Sequence, residues 1–305
     1  MIPGFKTGPL SWEEGKSLVL NEKAQMCEIW FRVDKSEEYN EYFKWLAKHQ
    51  ITIGLHNWAV CKGGIKNNLS THNKEVRNET IAQIKESINI SSEYGCVYVN
   101  IHPGALFLEK VTLSPWASVL MKNTKPTEET EANKLTLEAA IELDAYEKKK
   151  GTMLFVETIP SSECIVGGDR NNVYQPQNTS LEVMKDLARE GITIANDLAH
   201  TAAFIENNTT PSKKDLWQTL INFTEATHAA TKLLHVNTLQ PPYNGTDSHD
   251  GITDENFAAG VLPNEEQMKE ILGIFKERDD IYLVPEPKQN MKENHLALKK
   301  MVAEL

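Results

Sequence analysis

The sequence lacks the features that mark secreted disulfide scaffolds and membrane-spanning proteins. Its 305 residues include four cysteines, Cys27, Cys61, Cys96 and Cys164, which lie far apart and form no CxxC pair. No apolar run approaches the ~20 residues that a membrane-spanning helix needs. Residues 1–15 show no charged-then-apolar pattern of a signal peptide. The sequence therefore predicts a reduced, cytoplasmic protein with no membrane partner.

Positive charge is also scarce. Lysine and arginine together number 32 against 43 aspartates and glutamates, which gives a net charge of −11. Residues 236–262 contain no lysine or arginine at all. The basic residues nearest to the predicted site that could contact a phosphate are Lys62, Lys66, Lys110 and Arg170. Because proteins that grip DNA use lysine and arginine to replace counterions on the phosphates, this pattern disfavours a nucleic-acid partner.

What the sequence does contain is a regular series of short apolar runs. Runs of this length bounded by glycine, proline or polar residues are typical of buried strands. Stretches with apolar residues at helical spacing separate them, and no repeat of 20–50 residues is present. The alternation predicts an α/β fold, a single (β/α)8 TIM barrel that forms one domain over residues 1–305. The eight predicted strands are residues 4–10, 25–33, 51–55, 97–101, 152–156, 192–195, 232–237 and 281–287.

Histidines and carboxylates recur at or just after these runs. In a barrel the strand ends meet at one face, so residues far apart in sequence share one pocket. Imidazole together with carboxylate suits Zn²⁺, Mn²⁺ or Fe²⁺ better than Ca²⁺ or Mg²⁺. Each residue alone has an ordinary structural explanation, but the set together predicts a site for one to three divalent metal ions. The predicted ligands are His56, His102, Glu157, Asp197, His200, His235, Asp247, His249 and Glu286.

The motifs that carry these residues resemble the xylose isomerase-like TIM barrels. They are LH at 55–56, HPG at 102–104, VET at 156–158, DLAH at 197–200, HVN at 235–237, DSH at 247–249 and PE at 285–286. This superfamily joins sugar isomerases and epimerases to the endonuclease IV group of nucleases. In the epimerases, the positions matching Glu157, Asp197, His235 and Glu286 hold one divalent metal. In the endonuclease IV group, positions matching all nine residues hold three zinc ions.

Four departures separate the chain from the endonuclease IV pattern. In that pattern a tyrosine follows soon after the first histidine, and an apolar residue with threonine or serine lies around the aspartate of DxxH. An Asn-Asp pair follows the strand-seven histidine, and an arginine lies inside the Asp-x-His element. The sequence instead has Asn57-Trp58-Ala59-Val60, Asn196 with Leu198, Asn237-Thr238, and Ser248 at these places. Together with the acidic loop 236–262, the departures favour a small substrate.

Two functions remain open. The favoured one is a metal-dependent isomerase or epimerase of a sugar or sugar-like substrate, with Glu157 and Glu286 moving protons while the metal stabilises an enediolate. Trp58, Phe107 and Trp116 are candidates to stack on the sugar, although loop packing explains these aromatics as well. The alternative is an endonuclease IV-like zinc phosphodiesterase that acts at abasic sites in DNA. A barrel that binds metal and ligand without turnover is a third, weaker possibility, and the sequence leaves the oligomeric state open.

Overall fold

The computed structural model describes residues 1–113, 116–121, 123–162, 177–205, 211–246 and 248–305, with the backbone alone for residues 113, 116 and 117. Within this part of the chain, strands and helices alternate along most of the length. The strands are β1 (Ile2–Pro3), β2 (Phe5–Thr7), β3 (Met26–Arg32), β4 (Thr52–Trp58), β5 (Val60–Cys61), β6 (Ile65–Lys66), β7 (Tyr98–Ile101), β8 (Glu109–Leu113), β9 (Trp116–Leu120), β10 (Met153–Glu157), β11 (Thr193–Asp197), β12 (Thr231–His235) and β13 (Tyr282–Val284).

The helices pack outside the main sheet. A 3₁₀ segment, Val33–Tyr39, precedes the second of them. The α-helices are α1 (Trp12–Glu22), α2 (Asn40–Lys48), α3 (Lys74–Tyr94), α4 (Glu129–Glu147), α5 (Leu181–Arg189), α6 (Leu198–Ala202), α7 (Lys213–Thr227), α8 (Asp254–Ala258), α9 (Glu265–Ile274) and α10 (Met291–Ala303).

The main sheet is parallel and closes on itself. Its nine strands run in the order β1-β13-β12-β11-β10-β7-β4-β3-β2. β1 and β2 are the two halves of one short stretch, because only Gly4 separates them. Ile2 and Pro3 pair with β13, while Phe5 to Thr7 pair with β3, so this stretch joins both ends of the sheet. The predicted TIM barrel is therefore confirmed, and all eight predicted strands are present with shifted ends.

An apolar layer fills the lower part of the barrel. Met26, Tyr98, Phe155, Ala195, Leu233 and Val284 form one buried cluster. The rings of Tyr98 and Phe155 stack with centroids 4.5 Å apart. Gly54 is required here, because a Cβ at this position would lie inside the Tyr98 ring. We call this cluster the apolar plug. It forms a closed floor beneath the carboxyl ends of the strands.

A small antiparallel sheet stands beside the mouth of the barrel. It runs in the order β5-β6-β8-β9 and lies outside the eight strands that the sequence predicts. Helix α1 likewise lies in a stretch whose sequence carries no clear helical pattern.

Capping explains where several helices start and stop. The Asn73 side chain accepts hydrogen bonds from the backbone at the start of α3, and Gly95 ends that helix with φ of 67°. Ser212 and Asn264 each form a capping box, at α7 and α9. Among the described residues, none of the helices combines the length and apolar character that a membrane span requires. Cys27, Cys61 and Cys96 are buried free thiols, and Cys164 lies outside the described residues.

Candidate metal centre

A ring of polar side chains lies directly above the apolar plug. Side chains alternate across a strand, so residues two positions apart point into the barrel at successive heights. Met26 belongs to the plug, Glu28 to the ring above it, and Trp30 to the mouth. We call the higher set the polar ring. Its members are Lys6, Glu28, His56, Asn100, Glu157, Asp197, His235 and, just past β13, Glu286.

Most of the predicted metal ligands lie in or on this ring. Glu157, Asp197 and His235 are the last residues of β10, β11 and β12, and all three are fully buried. His56 lies inside β4, two residues before its end, and His102 directly follows β7. His200 is on α6 and His249 is on the loop after β12. Asp247 lies outside the described residues.

Four overlapping groups of side chains in the described part of the chain could hold a metal ion. Within each group the ligand atoms all lie within 4.8 Å of one another. Imidazole and carboxylate donors at these distances fit a divalent transition metal. The groups are Glu157–Asp197–His235–Glu286, His56–His102–Glu157, Asp197–His200–His249, and Glu28–His56–His235–Glu286.

Hydrogen bonds indicate which histidine nitrogen carries the proton. His200 Nδ1 lies 2.8 Å from the carbonyl oxygen of Thr158, which can only accept, so Nδ1 carries the proton. In the neutral ring, Nε2 then keeps a lone pair for a metal. His235 Nε2 lies 3.0 Å from Glu28 Oε1, while its Nδ1 lies 3.1 Å from Glu157 Oε1. A carboxylate behind a histidine in this way is the usual means of orienting a metal ligand.

Buried amides hold the carboxylates. Asn100 Nδ2 donates to Glu157. Asn237 Nδ2 donates to Asp197 Oδ2 over 2.8 Å, and Asn237 Oδ1 accepts the backbone N–H of Glu286 over 2.7 Å. Asn237 therefore ties two of the candidate ligands together, which restricts the positions that their oxygens can take.

The electrostatics of the ring depend on charge partners as well as on burial. Burial alone would raise the pKa of Glu157, but His235 and His56 outweigh it and hold the pKa well below the usual range. Burial would lower the pKa of His235, but Glu157 and Glu28 hold it well above the usual value. Burial, with the Lys6 charge beside it, lowers the pKa of His56 to about 4, so the ring of His56 is neutral.

Two charged members of the ring, Glu28 and Lys6, were not predicted from the sequence. Glu28 is fully buried in the middle of β3, and Lys6 lies beside it on β2. Tyr98 of the plug donates to Glu28 Oε2 over 2.7 Å. The available signal was a single charged residue inside an apolar run, MCEIWF for Glu28, whereas the predicted ligands were sought mainly at strand ends.

Aromatic side chains line one side of the mouth. Trp58 and Trp30 have ring centroids 5.9 Å apart, and the Arg32 guanidinium lies 5.5 Å from the Trp58 ring centre. Phe107 lines a pocket together with His102 and Glu109. Trp116 is in β9, but its side chain lies outside the described residues. Trp30, which is 46% exposed, was not predicted as a site residue.

A family model for the xylose isomerase-like TIM barrel matches residues 20–300. The chain belongs to this family. The match spans nearly the whole sequence, and it confirms the family that the motifs suggested. No curated protein sequence matches the chain.

Solved structures of the same fold include an epimerase-like protein and an endonuclease IV. A TTHB071 protein from Thermus thermophilus, soaked with ZnCl2, is 13% identical with a TM-score of 0.63, covering 100% of this chain and 99% of that one. A D-tagatose 3-epimerase-like protein is 16% identical with a TM-score of 0.60, covering 99% and 98%. Endonuclease IV from Thermus thermophilus is 15% identical with a TM-score of 0.56, covering 98% and 97%. At these identities the likeness establishes the fold alone.

Proposed function

We propose that the protein is a divalent-metal-dependent isomerase or epimerase of a sugar or sugar-like substrate. The observation that carries the proposal is the group formed by Glu157, Asp197, His235 and Glu286, whose ligand atoms lie within 4.8 Å of one another. It matches the four positions that hold one metal in the epimerases the sequence resembles. Zn²⁺, Mn²⁺ and Fe²⁺ all suit its donors.

The metal, when bound, polarises a carbonyl and so makes the neighbouring C–H more acidic. The chain then has to supply groups that take up and return the proton. Glu157 is ionised, because neighbouring histidines hold its pKa low, and Asn100 fixes one of its oxygens. Glu157 is therefore placed as the base on one face of the substrate.

Glu286 approaches from a different part of the barrel wall. It follows β13, whereas Glu157 ends β10, so the two carboxylates come from strands separated by β11 and β12. The Lys6 ammonium pairs with Glu286 and holds it towards the centre. Two carboxylates on different sides of one substrate carbon can remove a proton from one face and return it to the other, which is what an epimerase must do.

The residues at the mouth of the barrel favour a small substrate. The pocket beside His102 is lined by polar groups, including Lys66, Asn178 and Glu109, with Phe107 as its aromatic wall. Trp58 offers a second flat surface on which a sugar could stack. The loop 236–262 adds no positive charge that would attract a phosphate backbone.

Proton exchange provides a direct test. The protein, loaded in turn with Mn²⁺, Zn²⁺ or Fe²⁺, is incubated in D₂O with a panel of ketohexoses and ketopentoses, and NMR follows deuterium entering the carbon beside the carbonyl. We expect exchange with at least one sugar and its loss in Glu157→Gln. Glu147→Gln is the matched control, because Glu147 is a buried carboxylate on α4, outside the ring. Absence of exchange with every sugar and metal would overturn the proposal.

A second function has one specific observation in its favour. Glu157 and Asp197 each belong to two of the candidate metal groups, which links three groups into a chain of adjacent sites. Such an arrangement suits three metal ions that together activate water and neutralise a phosphodiester. The test is nicking of a duplex that carries one abasic site. Nicking that is lost in Glu157→Gln, with no sugar exchange, would replace the first proposal by an endonuclease IV-like activity.

A further inference from the structure

The Lys6 ammonium lies inside one of the four candidate metal groups. Lys6 and Glu28 are direct neighbours across the parallel pair β2–β3. Lys6 Nζ lies 3.3 Å from Glu28 Oε1, pairs with Glu286, and is in hydrogen-bond contact with His56 Nδ1. These three residues, with His235, make up the group Glu28–His56–His235–Glu286. The ammonium therefore contacts three of the four donors that a metal there would use.

The same group also competes with its neighbours for donors. His235 belongs both to this group and to the Glu157–Asp197–His235–Glu286 group. A neutral imidazole has one lone pair, so it cannot ligate two metals while it keeps its N–H proton. Its Nε2 faces Glu28 and its Nδ1 faces Glu157. In the neutral ring that a metal ligand requires, donation of Nε2–H to Glu28 leaves the lone pair on Nδ1, which faces Glu157.

The nitrogen lone pairs of His56 are restricted in a similar way. Its Nδ1 faces Lys6, and its Nε2 lies 3.6 Å from Glu157 Oε2. An ammonium has donors but no acceptor, so it can only donate to Nδ1. While Lys6 is present, that nitrogen has no lone pair left for a metal, and Nε2, which carries the proton of the neutral ring, has none either.

Charge supplies the reason for an internal cation. Glu28, Glu157 and Asp197 are fully buried, and Glu286 is nearly so. Buried carboxylates this close together are unfavourable without cations between them. Lys6 is the lysine of the polar ring, and its side chain is only 15% exposed. It neutralises part of this charge without any metal.

We propose that the Lys6 ammonium is a built-in cation that fills the Glu28–His56–His235–Glu286 group and keeps a divalent metal out of it. Lys6 thereby limits the number of metal ions per chain and confines them to the Glu157 side of the polar ring. The inference rests on the proposed metal dependence of the ring, but it concerns stoichiometry and not the reaction.

Lys6→Met tests this directly, because methionine keeps much of the side-chain volume and removes the charge. The full-length protein and the variant are saturated with Zn²⁺, freed of excess metal, and measured by elemental analysis. We expect the variant to bind one more equivalent per chain than the unaltered protein. Lys66→Met is the control, since Lys66 is also largely buried and lies 3.7 Å from Glu109, outside the ring. It should leave the stoichiometry unchanged.

The double variant Lys6→Met/Glu28→Gln locates the extra ion, and it should return to the original stoichiometry. Lys6→Gln serves as a second single variant if Lys6→Met does not fold, with circular dichroism as the check. An unchanged or lower metal count in a folded Lys6 variant would overturn the inference. These counts do not depend on turnover. Failure to exchange sugar protons would therefore reject the proposed function and leave the role of Lys6 to be decided by the metal content.

Discussion

The apolar plug and the polar ring occupy adjacent levels inside the same barrel, and the same strands build both. On β3, Met26 belongs to the plug and Glu28, two residues later, to the ring. On β10, Phe155 and Glu157 are related in the same way, and on β11, Ala195 and Asp197. The strands run parallel through both levels, so the inward side chains create the difference.

The two levels also differ in what keeps them together. The plug is stabilised by apolar burial and close packing, which need no partner from solution. The ring places several carboxylates in a dry environment, where each requires a cation or a donor. Lys6, the amides of Asn100 and Asn237, and the histidines meet part of that requirement. Variants of the plug should therefore change stability, while variants of the ring should change metal binding and activity.

The largest effect is expected from Glu157→Gln. Removal of the proposed base should lower proton exchange by about 10³-fold, within the range for loss of a general base. Because metal binding to the folded state raises its stability, we also expect the rise in melting temperature on adding metal to shrink in this variant. NMR in D₂O measures the exchange rate, and thermal unfolding with metal and with a chelator measures the rise in melting temperature. A normal metal-dependent rise would show that Glu157 is not a ligand.

Phe155→Ala, in the plug, should have the opposite effect: it should lower stability and leave metal binding unchanged. Phe155 is fully buried and stacks on Tyr98, so the variant should lose about 3–5 kcal/mol of unfolding free energy. That loss should be the same with metal and with chelator, and the rise in melting temperature on adding metal should persist. Phe155→Leu, which leaves a smaller cavity, is the control. Loss of the metal-dependent rise in melting temperature in folded Phe155→Ala would contradict the claim that the plug affects stability and the ring affects metal binding.

Tyr98 connects the two levels and should give an intermediate result. Its ring belongs to the plug, and its hydroxyl donates to Glu28 Oε2 over 2.7 Å. Tyr98→Phe keeps the ring and removes a donor to a buried carboxylate, so we expect a loss of about 1.5–3 kcal/mol in urea unfolding. Tyr282→Phe is the matched control, because its ring also packs on Tyr98 at 5.3 Å. Equal losses in the two variants would argue against a role for the Glu28 hydrogen bond.

The barrel could be predicted from sequence because its strands are continuous apolar runs, which parallel sheets covered on both faces require. The small sheet could not, since β5 and β6 have two residues each and no periodicity. Helix α1 could not be predicted either, because Gly15 interrupts the apolar pattern on its buried face. Packing against the Tyr42 hydroxyl leaves no room for a Cβ at this position. That residues 1–305 form one domain stays a prediction.

The predicted site was incomplete for a related reason. Residues at strand ends were recognised, but inward-facing residues within strands were not, which is why Glu28 and Lys6 were overlooked. His295 of α10 is another residue whose place the sequence does not indicate. It is buried, and its Nδ1–H donates to the carbonyl of Gly4, the residue between β1 and β2. That contact depends on barrel closure, which the helical pattern of α10 does not reveal. The metal-binding and catalytic roles of the ring residues stay predictions.

Glu147 tests whether burial or nearby positive charge sets the pKa of the ring carboxylates apart from that of other buried carboxylates. Burial, with Asp144 nearby, raises its pKa to about 7, whereas the pKa of Glu157 is held low by histidines. A carboxyl whose pKa is raised on folding lowers stability as pH rises from about 4.5 to about 7. Glu147→Gln should thus match the unaltered protein near pH 4 and gain about 1 kcal/mol at pH 8, allowing for solvent screening.

Urea unfolding at pH 4, 6 and 8 measures the difference, with Glu142→Gln as the control on the same helix, where the carboxylate is half exposed and pairs with Lys85 at 2.6 Å. A gain that does not vary with pH would mean that Glu147 is not protonated in the folded state. A gain that grows with pH would show that this buried carboxylate, without a cation that outweighs its burial, is unfavourable when ionised. The ring carboxylates would then owe their ionised state to Lys6 and the histidines around them, because burial acts on both sites in the same direction.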